Sequence, residues 1–524
     1  RNTFKNIGAA SETETPTHAR LGAITAAYYA EKNSAEFNIR FNVFENNYHY
    51  ITLRANANKA ALEANGFTWR ANILYNAFID SGDVEFYYQN IVASSDTEAS
   101  NINNAYIDHN FYGKDAETKA TITVDQFDNH LVDESNKVVY DTLADLEAAI
   151  EAYDEFVKPI VVDSKLADVE VGTKVTYFDS ELEVGVSAFA TLKEAVDAAV
   201  AGKIIMVLPG EYTETEAVEI NVSDLRIYGP NQDVNPVTGK RNEEAVVFAK
   251  VILGEGVKNI EINGFKFLFH HTGSFVSGHE NGKIDGFTFA YNIFDLAEGG
   301  LPSGANAPIK FIQKSAEQGN KNFSFLYNYI MNTRDDRGIR LSYIENLTVV
   351  GNKLENVNDA IRLRDENGGI TGKLIVKDNE FVNIRQYAIF TQDNAEVTEI
   401  EITGNLFDGT GQVYTSGAIS IRKLSIGNDP ITVVIANNIF KNTKTTDIEV
   451  VHDAEEDDNI TITIKGNEFH TVDSTIYTNR GTGVVKTTFT LDNKVFDAEG
   501  NEIDLATLFE GEAPRIKNAS LEEE

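Results

Sequence analysis

The sequence is built on a repeat in which an Asn is followed, two residues later, by an aromatic or aliphatic residue. From Asn352 to Asn493 the successive Asn residues are 27, 26, 33, 29 and 26 residues apart. A supersecondary unit that recurs at such a period buries its apolar face by stacking on its neighbours, so the repeat predicts a solenoid. The Asn residues that anchor the repeats are Asn42, Asn76, Asn110, Asn292, Asn328, Asn352, Asn379, Asn405, Asn438, Asn467 and Asn493.

The runs between the anchors alternate like β-strands. Residues 399–403 (EIEIT) and 461–464 (TITI) are examples, and period-two alternation places every second side chain on the same face. Asn bonds its own backbone and tolerates a left-handed φ, so we expect it at a bend of every coil. The apolar residue two positions later is expected to fill the core. The pattern predicts an all-β parallel solenoid.

A further run after each anchor predicts another strand, whose register indicates which side chains face outward. The Ile residues of these runs are expected to point inward: Ile339, Ile361, Ile389, Ile419 and Ile448. The residues that follow them are expected to stack outward in one column: Arg340, Arg362, Phe390, Ser420 and Glu449. We expect Arg340 and Arg362 to be exposed and Tyr477 to extend the column.

Two segments do not follow the repeat. Residues 141–156 carry apolar residues at helical spacing and precede Pro159, so they predict a helix that leads into a polar linker over about 160–185. In residues 187–200, Thr191 and Glu194 form a capping box that predicts a short amphipathic helix. The following segment, KIIMVLPG (203–210) with Glu211 and Tyr212, predicts a buried strand and a turn.

This second segment closely resembles the start of pectin-lyase-like right-handed parallel β-helices. In that superfamily a small helix plugs the N-terminal end of the solenoid, and a strand that ends in a Pro-Gly-x-Tyr turn begins the first coil. The resemblance covers residues 187–500 well and the first 135 residues by the repeat alone. It implies a right-handed parallel β-helix, and it identifies the chain as a non-catalytic bacterial surface-layer type of member.

The domain boundaries follow from an internal duplication. Residues 128–146 parallel residues 492–508, and Asn42 and Asn76 correspond to Asn405 and Asn438. We expect 1–140 to form the C-terminal coils of a first module, 141–186 a helix and linker, 187–500 a complete capped module, and 501–524 a tail or cap. Because Arg1 falls inside a repeat, we expect a processed product or fragment, with the missing coils upstream or replaced by another subunit.

The charge and composition restrict the partners. The chain has 81 acidic and 45 basic residues, a formal net charge of −36, which argues against nucleic acid and anionic membrane as partners. It contains no apolar run of the roughly 18–20 residues that span a bilayer. Cysteine is absent, so disulfides and thiolate metal sites are excluded. This composition is common among exported bacterial surface proteins, and we expect an extracellular or cell-surface location.

Three motif sets of the superfamily bear on enzymatic activity. The Arg-x-Pro-x-x-Arg segment of pectate lyases, the Gly-His-Gly of polygalacturonases and the Gly-x-Val-Asp-Phe-Ile-Phe-Gly of pectin esterases are all missing. A divergent lyase site remains as the alternative, in which Arg could abstract a proton beside a metal-bound uronate. Its residues are Arg337, Arg340, Arg362, Arg364 and Asp335. A ladder of Arg–carboxylate pairs that holds neighbouring coils together explains the same residues.

Calcium is the one cation that the sequence favours, and no other cofactor is indicated. An acidic turn places several carboxylates close together, and hard oxygen ligands are those that calcium prefers. The candidate ligands are Asp453, Glu455, Asp457 and Asp458. The turn has neither the EF-hand spacing nor the Gly-rich calcium repeat, and a solvated acidic loop is the favoured explanation at this site.

Taken together, these features favour an extracellular structural protein that assembles with copies of itself into a surface layer, sheath or filament. The grounds are tandem modules, an uncapped first module, the acidic cysteine-free composition and the absence of three enzyme motif sets. The alternative is a polysaccharide lyase or carbohydrate-binding β-helix that acts on an acidic polysaccharide, such as one of the cell envelope. That alternative predicts a groove lined by Arg, Lys and aromatic residues, with Phe390 and Tyr477 as the aromatic pair.

Overall fold

The computed structural model divides the chain into two units, Arg1–Val157 and Lys158–Glu524, which are described separately. The described residues are 2–5, 22–28, 35–45, 49–55, 69–79, 89–90, 105–119, 138–268, 275–296, 307–333, 337–364, 368–392, 394–395, 397–412, 417–425, 430–452, 459–471, 474–480, 485–510 and 514–522.

The second unit is a stack of coils, each of which contributes one short strand to each of three sheets. One coil, for example, runs through Ile344–Val350, Lys353–Glu355 and Ile361–Leu363 before Ile370–Lys377 begins the next coil in the first sheet. Each strand pairs with its equivalents in the coils before and after it, and these pairings are parallel. The fold is therefore a parallel β-helix, as the repeat predicts.

The sheets are named by their strands in spatial order. Sheet 1 has fourteen strands: Ala188–Phe189, Ile160–Val162, Ile204–Val207, Arg226–Tyr228, Lys258–Asn263, Asp285–Ala290, Asn320–Leu326, Ile344–Val350, Ile370–Lys377, Val397–Thr403, Ile431–Ala436, Ile460–Lys465, Lys486–Phe489 and Ser520–Leu521. Sheet 2 has twelve: Gly210–Thr213, Ala245–Phe248, Lys266–Phe267, Ile293–Asp295, Tyr329–Met331, Lys353–Glu355, Glu380–Val382, Leu406–Asp408, Ile439–Lys441, Glu468–His470, Lys494–Phe496 and Glu502–Ile503. Sheet 3 has eleven: Val218–Ile220, Val251–Leu253, Val276–Gly278, Ile309–Phe311, Ile339–Leu341, Ile361–Leu363, Ile389–Thr391, Gly417–Arg422, Thr446–Val451, Thr475–Arg480 and Ile516–Lys517.

Smaller elements complete this unit. Lys174–Tyr177 and Ser180–Glu183 form an antiparallel hairpin, and Asn394–Ala395 pairs with Leu424–Ser425. Three short 3₁₀ helices span Ser164–Leu166, Ala316–Gln318 and Leu505–Leu508. At the C-terminal end, Glu502–Ile503 pairs antiparallel with Lys494–Phe496 and so ends the parallel order of sheet 2.

The anchor Asn residues form a continuous buried ladder between sheets 1 and 2. Asn379 Oδ1 accepts hydrogen bonds from the backbone N and the Nδ2 of Asn352, at 2.8 and 3.0 Å, and Asn379 itself donates to Asn405 Oδ1. The same pattern recurs from Asn292 to Asn493. The ladder supplies partners to backbone groups that the bend leaves outside the sheets.

The left-handed residue of this bend is the one before the Asn, which corrects our reason for the anchor. Tyr291, Tyr327 and Asp378 have φ of 55°, 53° and 54°, and Gly351 and Gly404 take the same place in other coils. The Asn side chain is selected because it bonds across coils, whereas the left-handed backbone belongs to its neighbour. Two residues beyond the Asn, the Phe rings stack along the core at centroid distances of 4.8–5.1 Å from Phe381 to Phe469.

A short helix, Leu192–Ala198, lies at the start of this unit, as the capping box predicts. Thr191 Oγ1 accepts from the Glu194 backbone N at 3.2 Å and donates to the Glu194 carboxylate at 2.9 Å. The buried Glu214 carboxylate accepts from the Leu192 backbone N at 2.8 Å. The helix belongs to the same apolar core as the first coils through Leu192 and Val196.

The first unit, Arg1–Val157, repeats the architecture with three sheets of its own. Its strands are Thr3–Lys5, Val43–Glu45, Ala77–Ile79, Asn110–Gly113 and Val139–Tyr140 in one sheet, Gly22–Tyr28, His49–Ala55 and Gln89–Asn90 in another, and Ala35–Arg40, Trp69–Leu74 and Ala105–Asp108 in the third. Asn42, Asn76 and Asn110 form the same ladder. The helix Leu143–Val157 packs Leu146 and Ile150 into the core, and its Tyr153 contacts the rings of Phe41 and Tyr75.

Within the described part of the chain, neither helix is long and apolar enough to cross a membrane.

Candidate ligand-binding face

The outer side of sheet 3 gathers the charged residues that the sequence singled out. Register pairs Arg340 with Arg362, and Arg362 with Phe390, on consecutive strands. The column continues through Ser420 and Glu449, while the preceding Ile residues are fully buried on the inner side. Neighbouring strands in a sheet lie about 4.8 Å apart, so these side chains form a closely spaced row.

Positive charge is concentrated on this side of the molecule. From Ile309–Phe311 to Thr475–Arg480, the described strands of sheet 3 contain five cations and two carboxylates, in a chain whose net charge is −36. The cations are Lys310, Arg340, Arg362, Arg422 and Arg480, and the carboxylates are Asp447 and Glu449. Arg337 and Arg364 flank the same strands. We call these seven cations the arginine face.

Asp359 is a fully buried carboxylate beneath the arginine face. Its Oδ2 lies 3.0 Å from Arg362 Nη1 and 3.4 Å from Arg337 Nε, so it holds two guanidinium groups from neighbouring coils. Its Oδ1 accepts from the Tyr387 backbone N at 3.3 Å. A carboxylate removed from water in this way needs its cations, and each Arg is fixed in place in return.

Glu449 holds a second group of Arg side chains, further along the stack of coils. Its Oε2 lies 2.8 Å from Arg422 Nη2 and accepts from Ser420 Oγ at 2.8 Å, and its Oε1 lies 3.4 Å from Arg480 Nη1. Arg422 also donates from Nη2 to Tyr387 Oη at 2.9 Å. The Glu449 side chain is only 2% exposed, so the outer surface here presents its Arg partners.

Phe390 lies between two guanidinium groups. Its ring centroid is 4.8 Å from Arg362 Cζ and 5.1 Å from Arg422 Cζ, distances at which a cation is attracted to the ring. Tyr387 packs against it at 4.8 Å between ring centroids, and burial raises the pKa of the Tyr387 hydroxyl. The two aromatic residues therefore separate and orient the Arg side chains.

The structure corrects two expectations for this column. Arg340 and Arg362 are half-buried rather than exposed, and the Arg362 guanidinium lies over the Phe390 ring. Tyr477 points inward and is fully buried, because it pairs in register with the inward Ile448, and its Oη lies 2.7 Å from Thr487 Oγ1. Phe390 is in the outward column but only 2% exposed, so it orients the arginines and is not itself an open platform.

Several residues of this face were missed in the sequence. Asp359 was detectable from its position three residues before Arg362, a spacing that is usually associated with ion pairs on helices. Arg422, Arg480 and Tyr387 carried no signal in the linear sequence, because they meet only when the coils stack.

Of the other site residues predicted from the sequence, some belong to the described part of the structure and some do not. Arg364 is half-buried beside sheet 3, while Asp335 lies outside the described residues. The calcium candidates Asp453, Glu455, Asp457 and Asp458 also lie outside them. Among the residues that the structure describes, no group of three or more His, Asp or Glu side chains is arranged to hold a metal ion.

Comparisons with known proteins identify the fold of part of the chain. Residues 250–426 match the family model for the right-handed beta helix region. No curated protein matches the sequence. The matching segment contains six of the seven cations of the arginine face, all except Arg480.

Solved structures with some likeness to the chain have low identity. The catalytic domain of a GH87 alpha-1,3-glucanase in complex with nigerose has 11% identity and a TM-score of 0.35, over 64% of this chain and 66% of that one. PfbA, a surface adhesin of Streptococcus pneumoniae, has 14% identity and a TM-score of 0.30, over 60% and 91%. The PL6 family alginate lyase AlyGC has 11% identity and a TM-score of 0.38, over 88% and 58%.

The chain thus spans less than two thirds of the length of the glucanase domain and of the alginate lyase, and no activity is transferred from any of the three. The fold is established by the strand pairing and the core of this chain. Its coils build three long parallel sheets around one apolar core, and the family match falls within them. The chain is a right-handed parallel β-helix protein.

Proposed function

We propose that the protein binds an acidic polysaccharide along the arginine face, outside the cell. The observation that carries this proposal is the local excess of cations, five against two carboxylates in seven strands of sheet 3, on a chain of net charge −36. Solubility does not explain a cluster of Arg side chains on a protein that is already strongly acidic. A row of fixed cations creates a local positive potential that attracts an anionic polymer.

Arginine suits carboxylate ligands in particular. The planar guanidinium donates two parallel hydrogen bonds to a carboxylate, and it is more weakly hydrated than an ammonium group. Asp359, Glu449 and Phe390 hold the guanidinium groups of Arg362 and Arg422, so these two side chains lose little further freedom when a ligand binds. The roughly 4.8 Å strand spacing repeats a cation on three consecutive strands, at Lys310, Arg340 and Arg362, which fits a polymer with regularly spaced uronate groups.

The geometry supports binding rather than hydrolysis. Glycoside hydrolysis generally uses two carboxyl groups that face the scissile bond, about 5–10 Å apart. Within the described residues of the face, Asp359 and Glu449 are buried under their Arg partners and do not face a ligand. The chemistry that these residues offer is a set of preorganised donors.

The test is the affinity of the full chain for polygalacturonate and for alginate. Replacing Lys310 and Arg340 together by Gln removes two charges from the arginine face and leaves Asp359 and Glu449 with their partners. We expect at least a tenfold loss of affinity at low salt, and a weaker dependence on salt concentration. Affinity electrophoresis and isothermal titration measure both quantities.

The matched control is Lys321→Gln with Lys373→Gln. Both side chains are more than half exposed on sheet 1, and their ion pairs with Glu345 and Glu399 are surface pairs of small energetic value. This variant has the same net charge as the test variant and is expected to change affinity less than twofold. Equal losses in both variants, or binding of neutral dextran as strong as that of polygalacturonate, would contradict the proposal.

Assembly into a surface layer, sheath or filament is the second candidate function, and the tandem arrangement favours it. Arg1–Val157 and Lys158–Glu524 each contain three-sheet coils with a buried Asn ladder, so the chain repeats one architecture. Solenoid flanks offer extended surfaces for protein contacts. Electron microscopy of the purified chain with calcium and with a chelator is expected to show ordered sheets or filaments. Uniform single particles in both conditions would contradict assembly.

A further inference from the structure

A cavity lies on the outer side of sheet 1, away from the arginine face. It has a volume of about 360 Å³, which falls within the range of small-molecule sites. Two columns from three consecutive coils line it. One column contains Asp224, Asn259 and Gly286, the other contains Arg226, Glu261 and Thr288, and the backbone at Ile260 lies between them.

The cavity lies beside a position where one side chain is missing from a ladder. Asp224, Asn259, Gly286, Asn322 and Asn346 occupy the same left-handed position in successive coils, with φ between 52° and 80°. Their side chains bond from coil to coil, as from Asn259 Nδ2 to Asp224 Oδ1 at 2.8 Å and from Asn346 Nδ2 to Asn322 Oδ1 at 3.0 Å.

Gly286 interrupts this ladder. A Cβ placed on Gly286 would lie 2.8 Å from Asn259 Oδ1, so the Asn259 side chain already packs against this position and must shift to admit a larger residue. Asn322 bonds instead to the Asp285 carboxylate at 2.6 Å. Because Asn adopts the left-handed conformation in the adjacent coils, the backbone does not require Gly at this position. Gly286 places no side chain on the outer surface of the sheet at this point.

The polar groups around this space match the hydroxyl groups of a sugar. Glu261 accepts from Tyr228 Oη and from Asn263 Nδ2, both at 3.0 Å, so its carboxylate is oriented. Asp224 and Glu261 offer acceptors, Arg226 offers donors, and Asn259 and Thr288 offer both. A sugar ring carries several hydroxyl groups, each of which donates and accepts, and this mixed set satisfies them.

The charge of the cavity selects between classes of sugar. Two carboxylates against one guanidinium give it a formal negative charge, which disfavours a uronate. The arginine face has the opposite charge and favours a uronate. We infer that this cavity binds a single neutral pyranose ring of a carbohydrate, a site separate from the proposed acidic-polysaccharide face and independent of it.

The test fills the cavity with the residue that the chain uses in neighbouring coils. Gly286→Asn adds a side chain to the lining of the cavity, next to Asn259. The control is Gly372→Asn, because Gly372 also has a left-handed φ of 66°, and a Cβ there would meet the Asn346 side chain in the same way. Both variants therefore introduce the same residue at a left-handed position that contacts an Asn side chain, but only one of these positions lines the cavity.

Saturation-transfer NMR on the full chain, with the methyl glycosides of glucose, galactose and mannose, reports binding in the millimolar range. We expect at least one glycoside to bind the wild type and the Gly372→Asn variant. Binding is expected to fall at least tenfold in Gly286→Asn. Arg226→Ala removes an exposed donor without filling the cavity, and the same loss in this variant excludes a folding effect as the cause.

Three results would overturn the inference. The first is that no glycoside gives a saturation-transfer signal with the wild type. The second is that a glycoside still binds to both the Gly286→Asn and the Arg226→Ala variants, and the third is that only simple amines such as methylammonium bind, which would indicate a cation site. Binding of polygalacturonate is expected to remain unchanged in Gly286→Asn. Each of the two carbohydrate proposals can therefore be contradicted without contradicting the other.

Discussion

Asn379→Ala is expected to destabilise the coils around it by about 4 kcal/mol, a large effect for one polar side chain. The side chain makes five hydrogen bonds. It accepts from the backbone N and the Nδ2 of Asn352, and it donates to the backbone O of Val349 and Lys377 and to Asn405 Oδ1, all between 2.8 and 3.0 Å. Ala removes these partners and leaves buried donors and acceptors without hydrogen bonds, each at a cost of about 1–3 kcal/mol.

Hydrogen exchange measured by mass spectrometry tests this prediction locally. Local opening in a solenoid does not require the whole chain to unfold, so exchange of peptides within residues 344–407 is the appropriate measurement. A change of about 4 kcal/mol corresponds to exchange faster by roughly 10³ in the strands on both sides of the bend. The chain offers a matched control in the same coil.

That control is Asn383→Gly. Asn383 is exposed, has a left-handed φ of 52°, and bonds through Nδ2 to Asn356 Oδ1 at 3.3 Å. Gly preserves the backbone conformation and removes only a surface bond, so the expected change is below about 1 kcal/mol. Equal acceleration of exchange in both variants, or no acceleration in Asn379→Ala, would show that the buried ladder does not stabilise the coils.

The second large effect concerns Asp447, a fully buried carboxyl group at the start of a sheet 3 strand. Burial raises its pKa to about 7, although Thr471 Oγ1 and Ser474 Oγ donate to it at 2.8 and 3.3 Å and Arg515 lies nearby. The folded protein therefore holds this proton more tightly than the unfolded chain does. The stability that the protonated group contributes is fully present below the unfolded pKa and is lost as the pH rises toward 7.

Asp447→Asn removes this titration and keeps an acceptor for Thr471. Its stability is expected to match that of the wild type near pH 4 and to exceed it by roughly 4 kcal/mol at pH 8, because each unit of pKa shift corresponds to about 1.4 kcal/mol. Thermal unfolding at pH 4.5, 6 and 8 measures the difference. Asp378→Asn, at an exposed left-handed position of the same unit, is the matched control. A constant difference between Asp447→Asn and wild type at all three pH values would contradict the assignment.

The sequence predicts the fold well because the signals that define it are local and repeated. The Asn-x-Phe spacing, the alternating runs and the Thr191–Glu194 capping box each depend on residues close in the chain, and the structure contains all three as expected. The left-handed residue was assigned to the wrong position, since the residue types before the anchor vary from Tyr327 to Gly351 and Asp378. An interaction between coils, not the backbone preference of Asn, selects the anchor.

The ligand-binding face is predictable only to a limited extent. The column of Arg340, Arg362 and Phe390 follows from strand register alone. The residues that fix this column come from turns and other coils, as Asp359 and Arg422 do, and turn lengths between coils vary too much to align them from the sequence. The cavity at Gly286 could not be predicted from the sequence either, because a missing side chain is recognisable only once the ladder around it is known.

A crystal structure of the full chain with trigalacturonate bound tests most directly whether the arginine face binds an acidic polysaccharide. We expect the sugar on the outer side of sheet 3, with its carboxylates within hydrogen-bonding distance of the Arg340 guanidinium and the Lys310 ammonium. Trigalacturonate bound only elsewhere on the chain, or an unoccupied sheet 3 at saturating ligand, would contradict it.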